Sequence, residues 1–201
     1  SGAFSLQALV KFFEEDRLCE VMHIGEAEAP NWSNANTREE AVRILEKQGG
    51  TGTVLTLGGK ESDEQLRYAI SMGMQEGMLL EVADEWGPMA TAKAIIEAIK
   101  TSGKTFDIIM FGNEAADTGG YQVGIRVAQA LGLPCVTGIK GLEVSGSTVV
   151  AKKEISGEHK VYEVSLLAVF TVKEVLNYQR YPSVPGRKKK KKAPVQNSQP
   201  S

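Results

Sequence analysis

Short apolar runs alternate with amphipathic stretches between about residue 36 and residue 138. GTVLTLGG, EGMLLEVAD and FDIIMFGN are typical of short buried strands. The stretches TREEAVRILEKQGG, ESDEQLRYAISMG, GPMATAKAIIEAIKTSG and YQVGIRVAQALG carry apolar residues on one face and predict helices. Thr37 and Glu40 fit a capping box, which predicts that the first helix begins there. Strands joined by helix-length crossovers indicate parallel βαβ units, with SLQALVKFF as the first strand or, alternatively, a helix.

The period of the apolar positions changes after residue 138. In KVYEVSL, Tyr162, Val164 and Leu166 alternate with polar residues, and a Ser-Gly turn precedes them. This pattern predicts an antiparallel hairpin that is followed by a last buried strand. We therefore expect one α/β domain over residues 1–182 and a flexible, basic tail over residues 183–201.

Charge is distributed unevenly along the chain. The net charge is −2, but Arg187–Lys192 are six consecutive basic residues, so residues 1–186 carry −8. An acidic body repels phosphate, which argues against nucleic-acid binding and favours a local role for the lysines. Cys19 and Cys135 form no CxxC motif, which favours a reducing compartment. No apolar run approaches the roughly 20 residues of a membrane span, and the first residues do not resemble a secretory signal, so we expect a soluble intracellular protein.

The segment FGNEAADTGGYQVG follows the clearest strand and precedes a helix. In an open α/β sheet, ligands bind beyond the carboxyl ends of the strands. Gly119 and Gly120 allow a close approach of the backbone, and the amides of residues 119–123 can face a phosphate. Thr118 and Gln122 supply neutral donors. The segment predicts a nucleotide phosphate site that is neither a P-loop nor a GxGxxG loop, with a glycine-rich turn that binds nothing as the alternative.

Catalytic and metal-binding motifs such as HExxH, GxSxG and paired carboxylates are missing from the sequence. Asp117 and Glu114 are interpreted as loop-capping or ligand-positioning groups, and His23 and His159 as exposed, unpaired residues. Trp32 is interpreted as packing under a loop or, alternatively, as lining an adenine pocket. A nucleotide-type loop without catalytic residues indicates a carrier or binding subunit rather than an enzyme.

Three motifs in the same order resemble the β subunits of electron transfer flavoproteins. EEAVRILEKQGG-TGTVLTLGG-KESDEQLRYAISMG resembles the family's EEALRLKE, VTVLTLGP and a helix that ends in ALAMGAD. DIIMFGNEAADTGGYQVGIRVAQALGLPCVTGI resembles the family's GDTGQVG loop with its helix and following strand. SLLAVFTVKEVLNYQRYPSVPGRKKKKKAPV resembles its closing stretch, LPAVVTV and then LNEPRYPSLPGIMKAKKKP. The resemblance covers about residues 30–195.

This resemblance implies a doubly wound α/β fold with a mostly parallel, Rossmann-like sheet of the adenine-nucleotide α-hydrolase type and a C-terminal β-hairpin. It implies a subunit that pairs with an α subunit and carries electrons from acyl-CoA or related dehydrogenases, in the bacterial cytoplasm or the mitochondrial matrix. AMP, or alternatively the AMP half of FAD, would occupy its own site, and another FAD would be shared with the α subunit. A stand-alone adenine-nucleotide-binding module of the same fold is the alternative.

By position, the resemblance also implies a pocket made of three segments. Its residues are Asn31, Trp32, Ser33, Asn34, Leu57, Gly112, Asn113, Asp117, Thr118, Gly119, Gly120, Tyr121, Gln122 and Val123. The amides of residues 119–123 would contact the phosphate, and neighbouring carbonyls would contact the adenine edge. Asn31 matches an early Asn of the family, whose following Pro-Phe is replaced here by Trp32-Ser33.

The closing stretch implies a surface that docks on dehydrogenases. Val184, which precedes Pro185, would be its apolar anchor, and Lys188 would belong to the lysines that steer the partner. Family members carry a leucine at the anchor, and the missing methylene would cost on the order of 1 kcal/mol in a leucine-shaped pocket. Family members also continue past the position of Ser201 as an arm that embraces the α subunit.

Overall fold

Strands and helices alternate along most of the chain in the computed structural model. The structure describes residues 6–12, 32–60, 62–83, 86–112, 122–173 and 194–200, with the backbone alone for residues 6–12 and 32–39. The elements are β1 (Leu6–Phe12), α1 (Trp32–Gln48), β2 (Gly50–Gly58), α2 (Ser62–Met72), β3 (Glu76–Glu81), α3 (Pro88–Thr101), β4 (Ile108–Gly112), α4 (Gln122–Leu131), β5 (Cys135–Ser145), β6 (Thr148–Ile155), β7 (Glu158–Ser165), β8 (Ala168–Val172) and β9 (Val195–Ser198). The α/β class predicted from the apolar runs is confirmed, and SLQALVKFF contains the first strand.

Parallel pairing places β1 near the centre of the sheet. The strand order is β7-β6-β5-β8-β4-β1-β2-β3-β9. β1 pairs in parallel with β2 on one side and with β4 on the other. The chain therefore moves outward from β1 through β2 and β3, and then returns to build the other half from β4. This winding in two directions is that of a doubly wound sheet.

Helices cover both faces of the parallel strands. One buried cluster contains Val42 of α1 and Ile70 of α2, and the other contains Ile95 of α3 and Val127 of α4. Between them, all five residues of β4 and all five residues of β8 are buried. A strand that is covered on both faces favours apolar side chains at nearly every position, which explains why these strands are almost continuous apolar runs in the sequence. The exception is Thr171 of β8, whose buried Oγ1 accepts a hydrogen bond from the Gly138 amide.

Strand β5 bends where it leaves the parallel region. Its residues up to Ile139 pair in parallel with β8, and its residues from Ile139 onward pair antiparallel with β6. The register shifts on both sides of Ile139, and Gly138 has a φ of 66°, a value that favours glycine. β6 in turn pairs antiparallel with β7. We call residues 139–145 of β5 together with β6 and β7 the antiparallel extension.

The first helix begins earlier than the capping-box pattern predicts. α1 starts at Trp32, so Thr37 lies inside the helix and the predicted helix start is wrong. Glu40 is only 1% exposed, and its Oε1 accepts a hydrogen bond from the Leu142 amide at 3.1 Å. The carboxylate therefore joins α1 to the antiparallel extension rather than closing the first turn of the helix. Glu40 and Leu142 are 102 positions apart, which places this contact beyond any local sequence pattern.

A short strand lies in the segment that the sequence predicts to be a tail. β9 pairs in parallel with β3, from Gly77 opposite Val195 to Leu80 opposite Ser198. Val195 packs against the buried cluster under α1 and α2, and it is the one apolar residue of the strand VQNS. The strand is held by main-chain pairing at the sheet edge, so its apolar pattern did not predict it. Residues 183–193 lie outside the described residues, and their description as a flexible tail stays a prediction.

Candidate functional site

The carboxyl ends of β1 and β4 lie on neighbouring strands at the centre of the sheet. The helix after β1 packs on one face of the sheet, and the helix after β4 packs on the other. Because the two helices lie on opposite faces of the sheet, we expect a crevice between the strand ends, where doubly wound proteins bind ligands. The segments that leave these ends, residues 13–31 and 113–121, are outside the described residues. The described part of the candidate site consists of the strand ends and the first turns of α1 and α4.

Gly124 holds the amino end of α4 close to the sheet. A Cβ atom at this position would lie 2.9 Å from Thr171 Cγ2 and 3.1 Å from Phe111 Cδ2. These distances leave no room for a side chain, so the glycine lets the first turn of α4 lie directly on β4 and β8. The first four N–H groups of a helix have no partner within the helix and carry partial positive charge. The amino end of α4 therefore presents amide donors that have no partner within the helix, beside the carboxyl end of β4.

Gln122 and Val123 form the start of α4, the turn that the sequence predicts to face a phosphate. Arg126 Nη2 donates to Gln122 Oε1 at 2.9 Å, which orients the side-chain amide of the exposed Gln122. The Val123 side chain is 6% exposed and belongs to the buried cluster under α3 and α4. Val123 can therefore serve a ligand through its backbone amide, whereas Gln122 can also use its side chain.

Other predicted pocket residues reach the same edge of the sheet through their backbone. Leu57, near the end of β2, is 6% exposed, and its side chain packs in the cluster under α3 and α4. We therefore expect Leu57 to offer its main chain, not its side chain, to a ligand. Gly112 is the buried last residue of β4 and lies opposite Val172 of β8. Residues 32–34 form the first turn of α1, and the two roles predicted for the Trp32 side chain stay predictions.

The remaining predicted contacts lie outside the described residues, and their roles stay predictions. They are Asn31, Asn113, Asp117, Thr118, Gly119, Gly120 and Tyr121 for the nucleotide, and Val184, Pro185 and Lys188 for the partner. Gly124 was not among the residues that the sequence predicted for the site. A glycine inside a helix costs about 1 kcal/mol relative to alanine, so its presence in the predicted helix was a signal of close packing.

A network of polar contacts joins α1 to the antiparallel extension. Arg43 Nη2 donates to Glu40 Oε1 at 2.6 Å and to the Leu142 carbonyl at 2.8 Å. Gln48 Nε2 donates to the Val144 carbonyl at 2.7 Å. The hydrogen bond to Glu40 is the main reason why the pKa of the Arg43 guanidinium is raised. Because Leu142 is bonded through both its backbone N–H and its backbone C=O, α1 is held in a defined position along β5.

The described residues offer little catalytic chemistry. Within the described ranges, no group of three or more His, Cys, Asp or Glu residues could hold a metal ion. His159 is exposed on β7, and burial raises the pKa of the Cys135 thiol, which disfavours the reactive thiolate. None of the helices described is long and apolar enough to cross a membrane. The described part of the site can bind a ligand through backbone amides and through the side-chain amide of Gln122.

Comparisons with known proteins agree with the motifs at this site. The model of the electron transfer flavoprotein domain family matches residues 21–201. Electron transfer flavoprotein subunit beta of Bacillus subtilis is 36% identical over 161 residues, which cover 79% of this chain and 62% of the relative. The subunit of the same name from Syntrophomonas wolfei is 38% identical over 158 residues, with 78% and 62% covered. Subunit CarD of the caffeyl-CoA reductase-Etf complex of Acetobacterium woodii is 32% identical over 162 residues, with 78% and 60% covered.

This chain spans about three fifths of the length of these relatives. The family model, however, matches most of the chain, including β4, α1 and α4 at the candidate site, while β1 precedes the matched residues. The chain therefore belongs to the electron transfer flavoprotein β-subunit family.

Proposed function

We propose that this chain binds an adenine nucleotide, AMP or the AMP half of FAD, at the edge of the sheet where β1 and β4 end. The observation that carries the proposal is the contact of Gly124 with Phe111 and Thr171, which presses the amino end of α4 against the sheet. Free amides at a helix start, next to the crevice of a doubly wound sheet, suit a phosphate group. Membership of a flavoprotein family supports an adenine nucleotide as the ligand whose phosphate binds there.

The chain acts, in this proposal, as an electron-carrier subunit rather than as an enzyme. It pairs with an α subunit with which it shares FAD, and the flavin supplies the redox chemistry when bound. This chain supplies binding and orientation, for which backbone amides suffice and no acid or base is needed. Acyl-CoA or related dehydrogenases are the proposed electron donors, and the similarity to a subunit named for a caffeyl-CoA reductase complex supports a partner that acts on a CoA thioester.

We also propose a more specific fold class for this chain. A Rossmann-like sheet of the adenine-nucleotide α-hydrolase type is supported by the parallel order of β3, β2, β1, β4 and β8 and by helices on both faces. The docking segment around Val184 and the localisation in a bacterial cytoplasm or mitochondrial matrix stay predictions.

Nucleotide content and assembly test the proposal separately. The purified chain is extracted with acid, and the extract is separated by chromatography with AMP and FAD as standards. We expect close to one adenine nucleotide per chain, and recovery of neither compound from the folded protein would overturn the proposed site.

The second measurement is co-purification with candidate α subunits. A yellow heterodimer with a flavin absorption band supports the electron-carrier role. A chain that retains its nucleotide but forms no heterodimer with any candidate would instead support a stand-alone nucleotide-binding module.

A further inference from the structure

Val195 of β9 fills a gap that a glycine leaves between the sheet and α2. Val195 lies directly opposite Gly77 in the parallel pair of β9 with β3. A Cβ atom at position 77 would lie 3.4 Å from Val195 Cγ2. The same atom would lie 3.5 Å from Ile70 Cδ1 and 3.6 Å from Leu66 Cβ, both on α2. One methyl group fits at these distances, whereas a branched side chain at position 77 would collide with Val195 or with α2.

The rest of β9 is held by main-chain pairing. The strand has four residues, and Gln196, Asn197 and Ser198 are exposed. The Gly77 amide donates to the Pro194 carbonyl at 3.2 Å, immediately before the strand begins. A strand with so few buried apolar contacts opens at a lower free energy than the core of the sheet. The packing of Val195 against α2 therefore controls whether β9 stays paired.

β9 follows the segment for which the sequence predicts partner binding. That segment lies between β8 and β9 along the chain. The described chain stops at Lys173, whose amide donates to the Ile139 carbonyl at 2.8 Å, and resumes at Pro194. β8 and β9 are five positions apart in the strand order, which corresponds to about 24 Å at the usual spacing of strands. Release of β9 would leave the segment attached to the sheet at one end only, as a chain terminus that is not tied down.

We propose that β9 fixes the carboxyl-terminal end of the partner-binding segment, and that Val195 in the gap beside Gly77 keeps β9 in place. This inference rests on the proposed function, in which residues around Val184 dock on a dehydrogenase. A segment that is held at both ends has fewer conformations than a free terminus, so less conformational entropy is lost when a partner binds it. Val195 is a positioning residue, because it acts through the segment that precedes it.

Hydrogen exchange of the Gly77 amide measures the pairing of β9 directly, because the Pro194 carbonyl is its acceptor. Val195→Asp places a carboxylate against the apolar side chains of α2, so exchange of this amide should become about tenfold faster or more. Gln196→Asp adds the same charge at an exposed position of the same strand and is the matched control, for which we expect no change.

A second amide shows that the effect is confined to β9. The Gln75 amide donates to the Gly52 carbonyl of β2 at 2.9 Å, on the other side of β3. Its exchange rate should be the same in Val195→Asp and in the unchanged chain. Thermal unfolding checks that each variant is folded.

Spin labels measure the position of the segment itself. One label is attached to Lys188→Cys in the segment and the other to Lys93→Cys on the exposed side of α3, in a chain whose Cys19 and Cys135 are replaced by alanine. We expect a narrower distribution of distances between the labels when β9 is paired than in Val195→Asp.

Gly77→Val tests the same contact from the side of β3. The branched side chain should displace Val195 and broaden the distribution of label distances as Val195→Asp does. Gly77→Ala is its matched control, because the added methyl group makes ordinary contacts, and it should leave the distribution unchanged. This pair of variants gives the same comparison if Val195→Asp does not fold.

Two results would overturn the proposal. Equal exchange of the Gly77 amide in Val195→Asp and Gln196→Asp would show that Val195 does not hold β9. An unchanged distribution of label distances, in a variant whose β9 is released, would show that β9 does not position the segment. Adenine nucleotide recovered by acid extraction should be the same in all variants, and its absence from every chain would count against the nucleotide site alone.

Discussion

The parallel region around β4 and β8 and the antiparallel extension bury their residues in different ways. Every residue of β4 and β8 is buried between helices on both faces of the sheet. In the extension, alternate residues such as Leu142 and Val149 pack in the cluster that includes α1, while β7 is almost entirely exposed. The comparison teaches that stability is concentrated in the parallel region, whereas the extension keeps surface that another molecule can contact.

Polar contacts differ between the two regions as well. The pairs Lys140–Glu154 and Glu143–Lys152 lie on the exposed face of the extension. Exposed ion pairs contribute little to stability, so these pairs reflect strand register more than folding energy. Glu40, by contrast, is buried and connects the extension to the helix that begins at the candidate site.

The largest expected effect is a cavity in the parallel region. Phe170 is fully buried in β8, so Phe170→Ala should lower the free energy of unfolding by about 3–5 kcal/mol. Val161→Ala on β7 is the matched control, and its change should stay within about 0.5 kcal/mol. Urea denaturation measures both. Similar losses in the two variants would show that the extension contributes to stability as much as the parallel region does.

An intermediate effect is expected from the contact between α1 and the extension. Glu40→Ala leaves the Leu142 amide without its acceptor and should cost about 1–3 kcal/mol of stability. Faster hydrogen exchange of the amides of β5 and β6 would show that the loss lies in the extension. Glu143→Ala, which removes an exposed carboxylate paired with Lys152, is the control and should leave the stability unchanged. If the amides of β5 and β6 exchanged as slowly in Glu40→Ala as in Glu143→Ala, the contact between α1 and β5 would not stabilise the extension.

The smallest change in stability, with a specific change in binding, is expected at Gly124. In Gly124→Ala, overpacking of about 1–3 kcal/mol is offset by about 1 kcal/mol of better helix propensity. The first turn of α4 moves away from β4 and β8, so affinity for AMP should fall several-fold in calorimetry.

Gly141→Ala in the extension is the matched control for that change. Its new Cβ would lie 4.0 Å from the Lys152 Cβ, an ordinary contact, so AMP affinity should not change. Equal AMP affinity in the two alanine variants would contradict the positioning role of Gly124.

The local pattern of apolar residues predicted those strands and helices in which each face is either buried or exposed along its whole length. FDIIMFGN predicted β4, because a strand between two helix layers is apolar at every position. Gln122 and Val123 were predicted at the start of α4 because a glycine-rich segment precedes an apolar helix face. The position of the site at the strand ends followed from the βαβ order, which the sheet confirms.

Local pattern failed where distant contacts decide the structure. The start of α1 was placed at Thr37 because Glu40 resembles a capping residue, although its acceptor role is toward Leu142. Leu57 was assigned to the pocket by position, and this stays a prediction; the packing of its side chain under α3 and α4, which leaves only its main chain for a ligand, could not be deduced from the local pattern. β9 has a single apolar residue and forms because the edge of β3 is available for pairing.

The sequence by itself indicated the α/β alternation, because local periodicity records which positions of one element are buried. The family was indicated by the resemblance of three motifs in the same order along the chain, and not by periodicity. Only the tertiary structure decided that α4 lies directly against Phe111 and Thr171, that the register of β5 shifts next to Gly138, and that β7 is the last of the described strands at its end of the sheet. Each of these depends on which element lies next to which, and no stretch of sequence contains both partners.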